Sequence, residues 1–510
     1  MKKYKTLLGT TFIVTILIVL GKVLGFIREA IIADFYGATA ETDAFFLAQS
    51  MPAMIFPAVC NSLSMAFSSI YIKRIVENGP ESEKYASRML IVTSVLGLFL
   101  GIIGVFISPI IVPVFAPGFT KPQIQLAVYL TRITMGAFVF TMLQYMLAAI
   151  LNSKKFFIGS QVSALFYNIT IIVMTLLIGR GQTMTVCTLI VTAGLVVQVA
   201  SLIVCCSKCF KFKPNKSLLA KDTGQLLKLA LPILLGNSIV QINTIVDKAL
   251  SSTLESGSMS ALSYAGTLNT LVISIFVMSL STVLFPTLAD NAAKGNRTEY
   301  INNLYSSIST ICLILVPIAC ISIIDSNEIV SIVFKRGSFD KSAVDKTAIV
   351  LAFYAPGFIF SGIREVVTRA FFAVQDTKTP MINSAIGVGC NIVFSCILVR
   401  FIGIAGIALG TTLAGVIISA MLLWNLKKKF NEIKISDFAK ELLKQIVAGL
   451  VVFAVLLLKR HFIPIGNQIL QFVSDVAIGL ILYVFFLYIL RSKDIKRAVR
   501  LVINKIRRKN

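Results

Sequence analysis

Apolar stretches of about 20 residues recur along the whole chain. Each is long enough to cross the roughly 30 Å hydrocarbon core of a bilayer as a helix. Backbone polar groups in lipid must find partners within their own segment, so these spans are predicted to be helical. We identify fourteen: 7–27, 40–72, 89–112, 123–151, 157–179, 183–206, 224–250, 258–289, 303–324, 346–374, 380–402, 404–426, 440–458 and 466–490.

Composition supports the same fold class. Of the 510 residues, 56% are hydrophobic and only 14% are charged, whereas roughly 25% are charged in an ordinary soluble domain. A soluble fold of this size cannot bury so much apolar surface. The sequence therefore predicts an all-α integral membrane protein.

Basic residues are distributed unevenly between the two sides of the predicted spans. If both termini are cytoplasmic, roughly two-thirds of the 48 lysines and arginines fall on the cytoplasmic side. This asymmetry orients the chain. It also explains the net charge of +25 without nucleic acid as a partner.

An internal repeat divides the spans into two halves. Residues 152–155 match 375–378 at an offset of 223, and Asn168 matches Asn391 at the same offset. Six spans separate the copies, so both copies have the same orientation in the membrane. We expect two parallel six-helix lobes around a central cavity, followed by two further helices, as in transporters built from parallel repeats.

This repeat gives the predicted domain organisation. The segments are an N-terminal lobe at 1–206, a basic cytoplasmic linker at 207–222, a C-terminal lobe at 223–426, a helix pair with a hydrophobic groove at 427–490, and a basic cytoplasmic tail at 491–510.

Several charged residues lie inside or at the edges of the predicted spans. A charge at the centre of a membrane helix costs about 2.5–3.5 kcal/mol on insertion scales, so each requires an explanation. Cations in a dehydrated cavity suit a multivalent anion such as pyrophosphate. The candidate substrate-binding residues are Lys22, Arg28, Asp43, Lys248, Arg364 and Arg369.

Structural alternatives exist for three of these candidates. Arg28 lies near a helix end, where it could snorkel to the interface. Asp43 could cap its own helix or pair with Arg28. Arg369 follows Glu365 by four residues, the spacing of a helical salt bridge.

No sequence motif indicates an enzyme. The chain has one histidine, His461, and lacks GxxxxGK[ST], HExxH and GxSxG. We therefore expect no cofactor and no metal centre, and transport energy from a Na⁺ or H⁺ gradient or from the membrane potential. Asp247, Asn391 and Thr411 could bind a monovalent ion if their helices meet, although the favoured alternative is that Asn391 and Thr411 only bond across helices.

Six short motifs resemble the MurJ (MviN) family of lipid II flippases, and the similarity runs through nearly the whole chain. The motifs are GFIREA at 25–30, FYGA at 35–38, TDAFF at 42–46, APGF at 116–119, and RAFFA at 369–373 leading to DTKTP at 376–380.

The resemblance implies a fold and an activity. The fold is that of the multidrug/oligosaccharidyl-lipid/polysaccharide exporter superfamily. The activity is transfer of undecaprenyl-pyrophosphate-linked peptidoglycan precursor from the inner to the outer leaflet of the bacterial cytoplasmic membrane by alternating access. The implied partners are this lipid-linked oligosaccharide and membrane lipids.

The resemblance also implies site residues. Lys22 stands where the family usually has an arginine, and Arg28 and Asp43 match cavity residues. The sodium site of some members maps onto Asp247, Asn391, Ser395 and Thr411, with Ser395 in place of an acidic residue.

Two departures from the family pattern keep other cargos open. No arginine follows Phe56–Pro57, and the stretch 264–267 reads YAGT where many members carry an arginine. Either Lys248, Arg364 and Arg369 supply the positive charge that the two missing arginines would provide, or the cargo differs. Another cargo would be a different undecaprenyl-pyrophosphate-linked glycan, such as a capsule or O-antigen unit. A cation-coupled multidrug exporter is a further alternative.

Overall fold

A computed structural model describes residues 2–213, 221–278, 288–292, 294–430, 432, 435–492 and 495. The regular elements in these ranges are helices, and no strand occurs among them. The predicted all-α fold class is therefore confirmed. The C-terminal tail after 495 and most of the linker from 214 onward lie outside the described residues.

Eighteen helices are numbered here in chain order. The first ten are α1 (Lys2–Tyr36), α2 (Ala40–Ile55), α3 (Pro57–Asn78), α4 (Ser82–Phe115), α5 (Lys121–Gly136), α6 (Phe138–Ser153), α7 (Phe157–Ile178), α8 (Met184–Ser207), α9 (Lys221–Ser252) and α10 (Ser258–Val272). The others are α11 (Arg297–Ile324), α12 (Ser326–Phe334), α13 (Lys341–Tyr354), α14 (Gly357–Ala373), α15 (Lys378–Ile402), α16 (Ile404–Lys429), α17 (Ile435–Phe462) and α18 (Gln468–Ile489).

Many of these helices are suited to crossing a membrane. Among the described residues, nine helices have the required length and hydropathy, and two bent pairs would each add a span. Helices α5 and α6 meet at 40°, and α13 and α14 meet at 44°. The chain is thus a multi-pass membrane protein, whereas the count of fourteen spans stays a prediction.

Three spans predicted as continuous are each broken into two helices. The predicted spans 40–72, 123–151 and 346–374 correspond to α2 and α3, α5 and α6, and α13 and α14. Pro57 begins α3 and Pro356 precedes α14. Proline lacks the N–H needed to continue the helix before it, which accounts for two of the three breaks. Apolarity alone could not reveal any of them.

The described helices group into two compact units. The first comprises Met1–Ser260 with Arg336–Phe339, and the second comprises Ala261–Lys335 with Asp340–Asn510. Helix α9 therefore groups with the first unit, although the repeat placed residues 223–250 in the C-terminal lobe. The predicted lobe and groove boundaries stay predictions.

The core of the first unit lies among α3, α4, α5 and α6. Phe67 stacks on Tyr71 and on Tyr85, with ring centroids 5.1 and 5.7 Å apart. Gly101 allows α4 to approach α5 closely, because a Cβ there would lie 2.7 Å from the Met135 carbonyl oxygen. On the other side of the unit, α7 packs against α1 and α8.

The second unit is organised around two helix pairs. Helices α15 and α16 cross closely at Gly406 and Gly410, where a Cβ would collide with α15. This spacing of two glycines four residues apart is typical of tight helix contacts in membranes. Helices α17 and α18 pack against each other and α11, with Val452 and Tyr483 fully buried.

Candidate functional site

A charged cluster lies on α1 and α7 of the first unit. The Arg28 Nη2 atom is 2.6 Å from Glu29 Oε1, and Nη1 donates to Asn168 Oδ1 at 3.2 Å. The guanidinium also lies 5.4 Å from the ring centroid of Tyr167. The side chain of Arg28 is 21% exposed. Arg28 is therefore held by three neighbours rather than extended towards solvent.

Asn168 fixes this cluster to both helices. Its amide nitrogen donates to the Ala164 carbonyl on its own helix at 3.1 Å and approaches the Gly21 carbonyl on α1 at 3.5 Å. Because the side chain is buried, its orientation is set by these bonds. Arg28 consequently has a defined position at the crossing of α1 and α7.

Tyr167 also lines a cavity of about 350 Å³ in the same unit. The cavity walls carry the amides of Gln49, Gln144 and Gln198 and the hydroxyls of Thr134, Thr141 and Thr192. No lysine, arginine, aspartate or glutamate is among its described lining residues. Such a surface offers uncharged donors and acceptors, as sugar hydroxyls and amides require.

Lys22 lies on α1 but outside the Arg28 cluster. Its side chain is exposed, and no acidic side chain pairs with it in the part of the chain that is described. The structure therefore does not join Lys22 to Arg28. Its predicted role in binding an anion stays a prediction.

Asp43 has a different role from the predicted pair with Arg28. Its Oδ2 accepts from the Gly257 backbone N–H at 2.7 Å, and its Oδ1 accepts from the Ser260 N–H at 2.7 Å and hydroxyl at 2.5 Å. These groups lie at the start of α10. Asp43 thus caps a helix more than 200 residues away, because a carboxylate satisfies the free N–H groups at a helix start.

Two further candidates lie together on α9. The Lys248 ammonium is 5.7 Å from the ring centroid of Phe46 on α2. The Asp247 Oδ2 atom accepts from Asn243 at 3.2 Å, while Oδ1 is buried without a donor among the described residues. An acid with one unused oxygen retains capacity for a further donor or a cation.

Arg364 and Arg369 belong to α14 of the second unit. Arg369 Nε donates to Glu365 Oε1 at 2.9 Å, so the salt bridge suggested by the spacing is confirmed. Arg364 is exposed. The structure does not bring these two arginines together at one site.

The predicted ion-binding residues form a hydrogen-bonded cluster between α15 and α16. Asn391 Nδ2 donates to Thr411 Oγ1 at 3.1 Å, and Ser395 Oγ donates to Asn391 Oδ1 at 2.9 Å. The bond across helices that was the alternative for Asn391 and Thr411 is confirmed. The three side chains carry no charge and satisfy one another, so without an acid they do not fit a cation site.

These features define a class of protein. The helices have the fold of a multi-pass membrane transporter: a solved multidrug resistance MATE family transporter of the MOP superfamily superposes with a TM-score of 0.68 over 82% of this chain and 96% of that chain. At 14% identity, this likeness shows the fold alone.

The family follows from closer similarities. Residues 32–474 match the family model described as "Lipid II flippase MurJ", and the chain belongs to that family. A solved structure titled "Lipid II flippase MurJ, inward closed conformation" is 27% identical, with a TM-score of 0.80 over 94% of this chain and 98% of that chain.

Curated relatives agree with this assignment. A protein named "Probable lipid II flippase MurJ" from Buchnera aphidicola subsp. Acyrthosiphon pisum is 28% identical over 89% of this chain and 90% of its own length. A protein of the same name from Thermotoga maritima is 25% identical over 94% and 96%. The predicted family is confirmed.

Sequence reasoning missed two parts of the Arg28 cluster. The sequence indicates Asn168 only as a marker of the repeat, and it gives no signal for Tyr167. The repeat itself is the available signal, because Asn391 at the matching position is a candidate ion-binding residue. Ser260, which binds Asp43, carried no signal in the sequence.

Proposed function

We propose that this protein moves lipid II, the undecaprenyl-pyrophosphate-linked peptidoglycan precursor, from the inner to the outer leaflet of the bacterial cytoplasmic membrane. It would act as a transporter without catalysing a reaction, and both termini would be cytoplasmic. Family membership supports the cargo. The observation that carries the proposal is the anchored Arg28 beside an uncharged polar cavity.

Arg28 supplies a site for the diphosphate. A guanidinium has five N–H donors and binds phosphate oxygens in a bidentate manner. In the free protein, Glu29 occupies Nη2 at 2.6 Å. A diphosphate carries more negative charge than this carboxylate and displaces it, while Asn168 keeps the guanidinium in place. The exposed Lys22, two turns earlier on α1, adds a second positive charge.

The cavity next to Tyr167 suits the remainder of the headgroup. Its amides and hydroxyls donate and accept hydrogen bonds without bringing a charge into an apolar surrounding. Sugars and peptide bonds have the matching groups. Asp43 contributes indirectly, because alternating access requires helix ends to separate. The bonds of Asp43 to Gly257 and Ser260 hold one such helix end in place.

Energy for transport comes from an ion gradient or the membrane potential in this proposal. The candidates for binding the coupling ion are Asp247, which has a buried oxygen without a donor among the described residues, and the cluster of Asn391, Ser395 and Thr411. Lys248, Arg364 and Arg369 would attract the anionic headgroup by their charge. The pair α17 and α18 would accept the polyprenyl tail.

Replacement of Arg28 tests this function. In a bacterium depleted of its own lipid II flippase, the Arg28→Ala variant should fail to restore growth, and Arg28→Lys should restore little because it loses the bidentate geometry. Lys22→Ala should also fail. Arg180→Ala is the matched control, because Arg180 is exposed just after α7.

Membrane levels of each variant are measured by immunoblot in the same cells. Full growth with both Arg28→Ala and Lys22→Ala at normal levels would refute the assigned site. If the unaltered protein fails to restore growth but complements a strain lacking a capsule or O-antigen flippase, the cargo is another lipid-linked glycan.

A further inference from the structure

A second cavity, of about 440 Å³, lies in the second unit. It is formed where the end of α14 and the start of α15 meet the last two turns of α16. This location is at the end of the helices that the basic-residue pattern predicts to face the cytoplasm. None of the candidate substrate- or ion-binding residues lines it.

The cavity has a positive charge that is not balanced locally. Lys429 Nζ is 2.7 Å from Asp376 Oδ2, so these two charges compensate each other. Lys428 also lines the cavity, and its Nζ lies 5.8 Å from the ring centroid of Trp424. No carboxylate within the described ranges pairs with Lys428. The net charge of the lining is therefore +1.

Asn383 supplies a second feature that indicates a ligand. Its side chain is only 2% exposed, and its Oδ1 accepts from Asn425 at 3.2 Å. Its Nδ2 is buried and has no acceptor among the described residues, and Asn383 is one of the residues that line the cavity. A buried amide N–H without an acceptor is unfavourable, so a ligand oxygen would satisfy it.

The surface beside the cavity is apolar and exposed. Met381, Ile382 and Ile386 on α15 are 55%, 44% and 45% exposed. Trp424 on α16 is 58% exposed, and tryptophan favours the boundary between headgroups and acyl chains. A cavity with a positive charge thus adjoins a face suited to hydrocarbon.

We propose that this cavity binds the phosphate of an anionic phospholipid, whose acyl chains lie along the exposed face of α15. A phosphodiester carries one negative charge, which matches the unbalanced Lys428. Its oxygens accept from Asn383 Nδ2 and Lys428 Nζ. Basic pockets at the ends of membrane helices bind anionic headgroups by the same combination of charge and hydrogen bonds.

Native mass spectrometry of the full-length protein in detergent tests this site. The probes are dioleoylphosphatidylglycerol, dioleoylphosphatidylcholine and inorganic phosphate. Phosphatidylglycerol adducts should exceed phosphatidylcholine adducts, and Lys428→Gln should weaken phosphatidylglycerol binding about fivefold, the effect of one basic residue at a membrane surface. Asn383→Leu should also weaken it.

Lys427→Gln is the matched control, because Lys427 is an exposed neighbour that does not line the cavity. It should leave binding unchanged within about twofold, a small change on the scale of affinity. Equal losses with Lys427→Gln and Lys428→Gln would show diffuse attraction and overturn the proposal. If inorganic phosphate saturated the protein at the same concentration as phosphatidylglycerol, that result would overturn the proposal that the ligand is a lipid.

Discussion

Two repeat-related asparagines occupy matching positions in the two units but have different partners. Asn168 on α7 and Asn391 on α15 are both buried. Asn168 binds the Arg28 guanidinium, whereas Asn391 binds the hydroxyls of Ser395 and Thr411. The repeat thus places a buried asparagine with polar partners, here called a polar hub, in the same helix of each half. Only the hub around Asn168 includes a charged side chain. Under the proposed function, anion recognition would therefore belong to the first unit.

The loops that follow α6 and α14 correspond in the repeat, and each contributes one residue to an ion pair, with the charges reversed between the two loops. Lys154 follows α6 and donates to Glu83 Oε1 at 2.7 Å and to the Cys209 carbonyl at 2.6 Å. Asp376 follows α14 and accepts from Lys429 at 2.7 Å. The Cys209 carbonyl and Lys429 each lie near the end of the sixth predicted span of their half, whereas Glu83, the ionic partner of Lys154, lies in the first turn of α4. The ionic tie can be built with either polarity.

The largest expected effect separates the two asparagines. Asn168→Leu removes the neutral anchor of Arg28 and should abolish flippase complementation, with a loss of about 2 kcal/mol in unfolding free energy, typical of a bond to a charged group. Asn391→Leu should cost about 0.6 kcal/mol, because Ser395 and Thr411 can bond to helix carbonyls instead. Thermal unfolding in detergent and growth of a depletion strain measure the two effects.

Equal loss of growth with both leucine variants, at equal membrane levels, would contradict this division between the units. Asn302→Leu serves as a control for placing leucine at a polar helix position, since Asn302 is exposed on α11.

The two ionic ties should differ in strength. Lys154 and Glu83 are 18% and 14% exposed, whereas Lys429 and Asp376 are 37% and 19% exposed. Lys154→Gln should therefore reduce the unfolding free energy by about 2 kcal/mol, since two bonds to a partly buried cation are lost. Lys429→Gln should reduce it by about 0.5 kcal/mol, as for exposed pairs.

Chemical denaturation in detergent at low salt compares the two variants with the parent protein. Lys73→Gln is the control, because its pair with Glu77 is exposed at 73% and 54%. A larger loss with Lys429→Gln than with Lys154→Gln would reverse the proposed ranking.

The smallest effect concerns pH. Hydrogen bonds from Lys429 and from the Thr379 backbone N–H lower the pKa of Asp376 to about 2. In the unfolded chain the pKa is about 3.9. The folded value is the lower one, so stabilisation is complete above about pH 4 and is lost as pH falls towards 2.

The difference in melting temperature between the parent protein and Asp376→Asn should therefore stay constant from pH 7 to pH 5 and shrink below pH 4. Asp290→Asn, in the exposed pair with Lys294, should show almost no difference at any of these pH values. If the difference in melting temperature between the parent protein and Asp376→Asn grew as pH fell, the lowered pKa of Asp376 would be contradicted.

The sequence predicted the parts of the structure that depend on local hydrophobicity. Apolar length located the helices, and the offset of 223 predicted the correspondence of Asn168 with Asn391. Spacing of four residues predicted the bond between Glu365 and Arg369. These features depend on residues that are close in the chain or on the repeat.

Other parts could not be predicted from the sequence. Asp43 binds Gly257 and Ser260 because distant segments fold together, and no pattern in one sequence indicates such a pairing. The bend between α5 and α6 falls at Gly136 and Ala137, where no proline marks the break. The partners of Arg28 on α7 required the packing of α1 against that helix.

The central claim is that an anchored Arg28 allows the protein to move lipid II between leaflets. It is tested most directly by labelling lipid II that is accessible from outside, in cells whose only lipid II flippase is this protein. The account predicts strong outer-leaflet labelling with the unaltered protein and background labelling with Arg28→Ala at equal expression. Equal labelling with both proteins, or none with the unaltered protein, would contradict it.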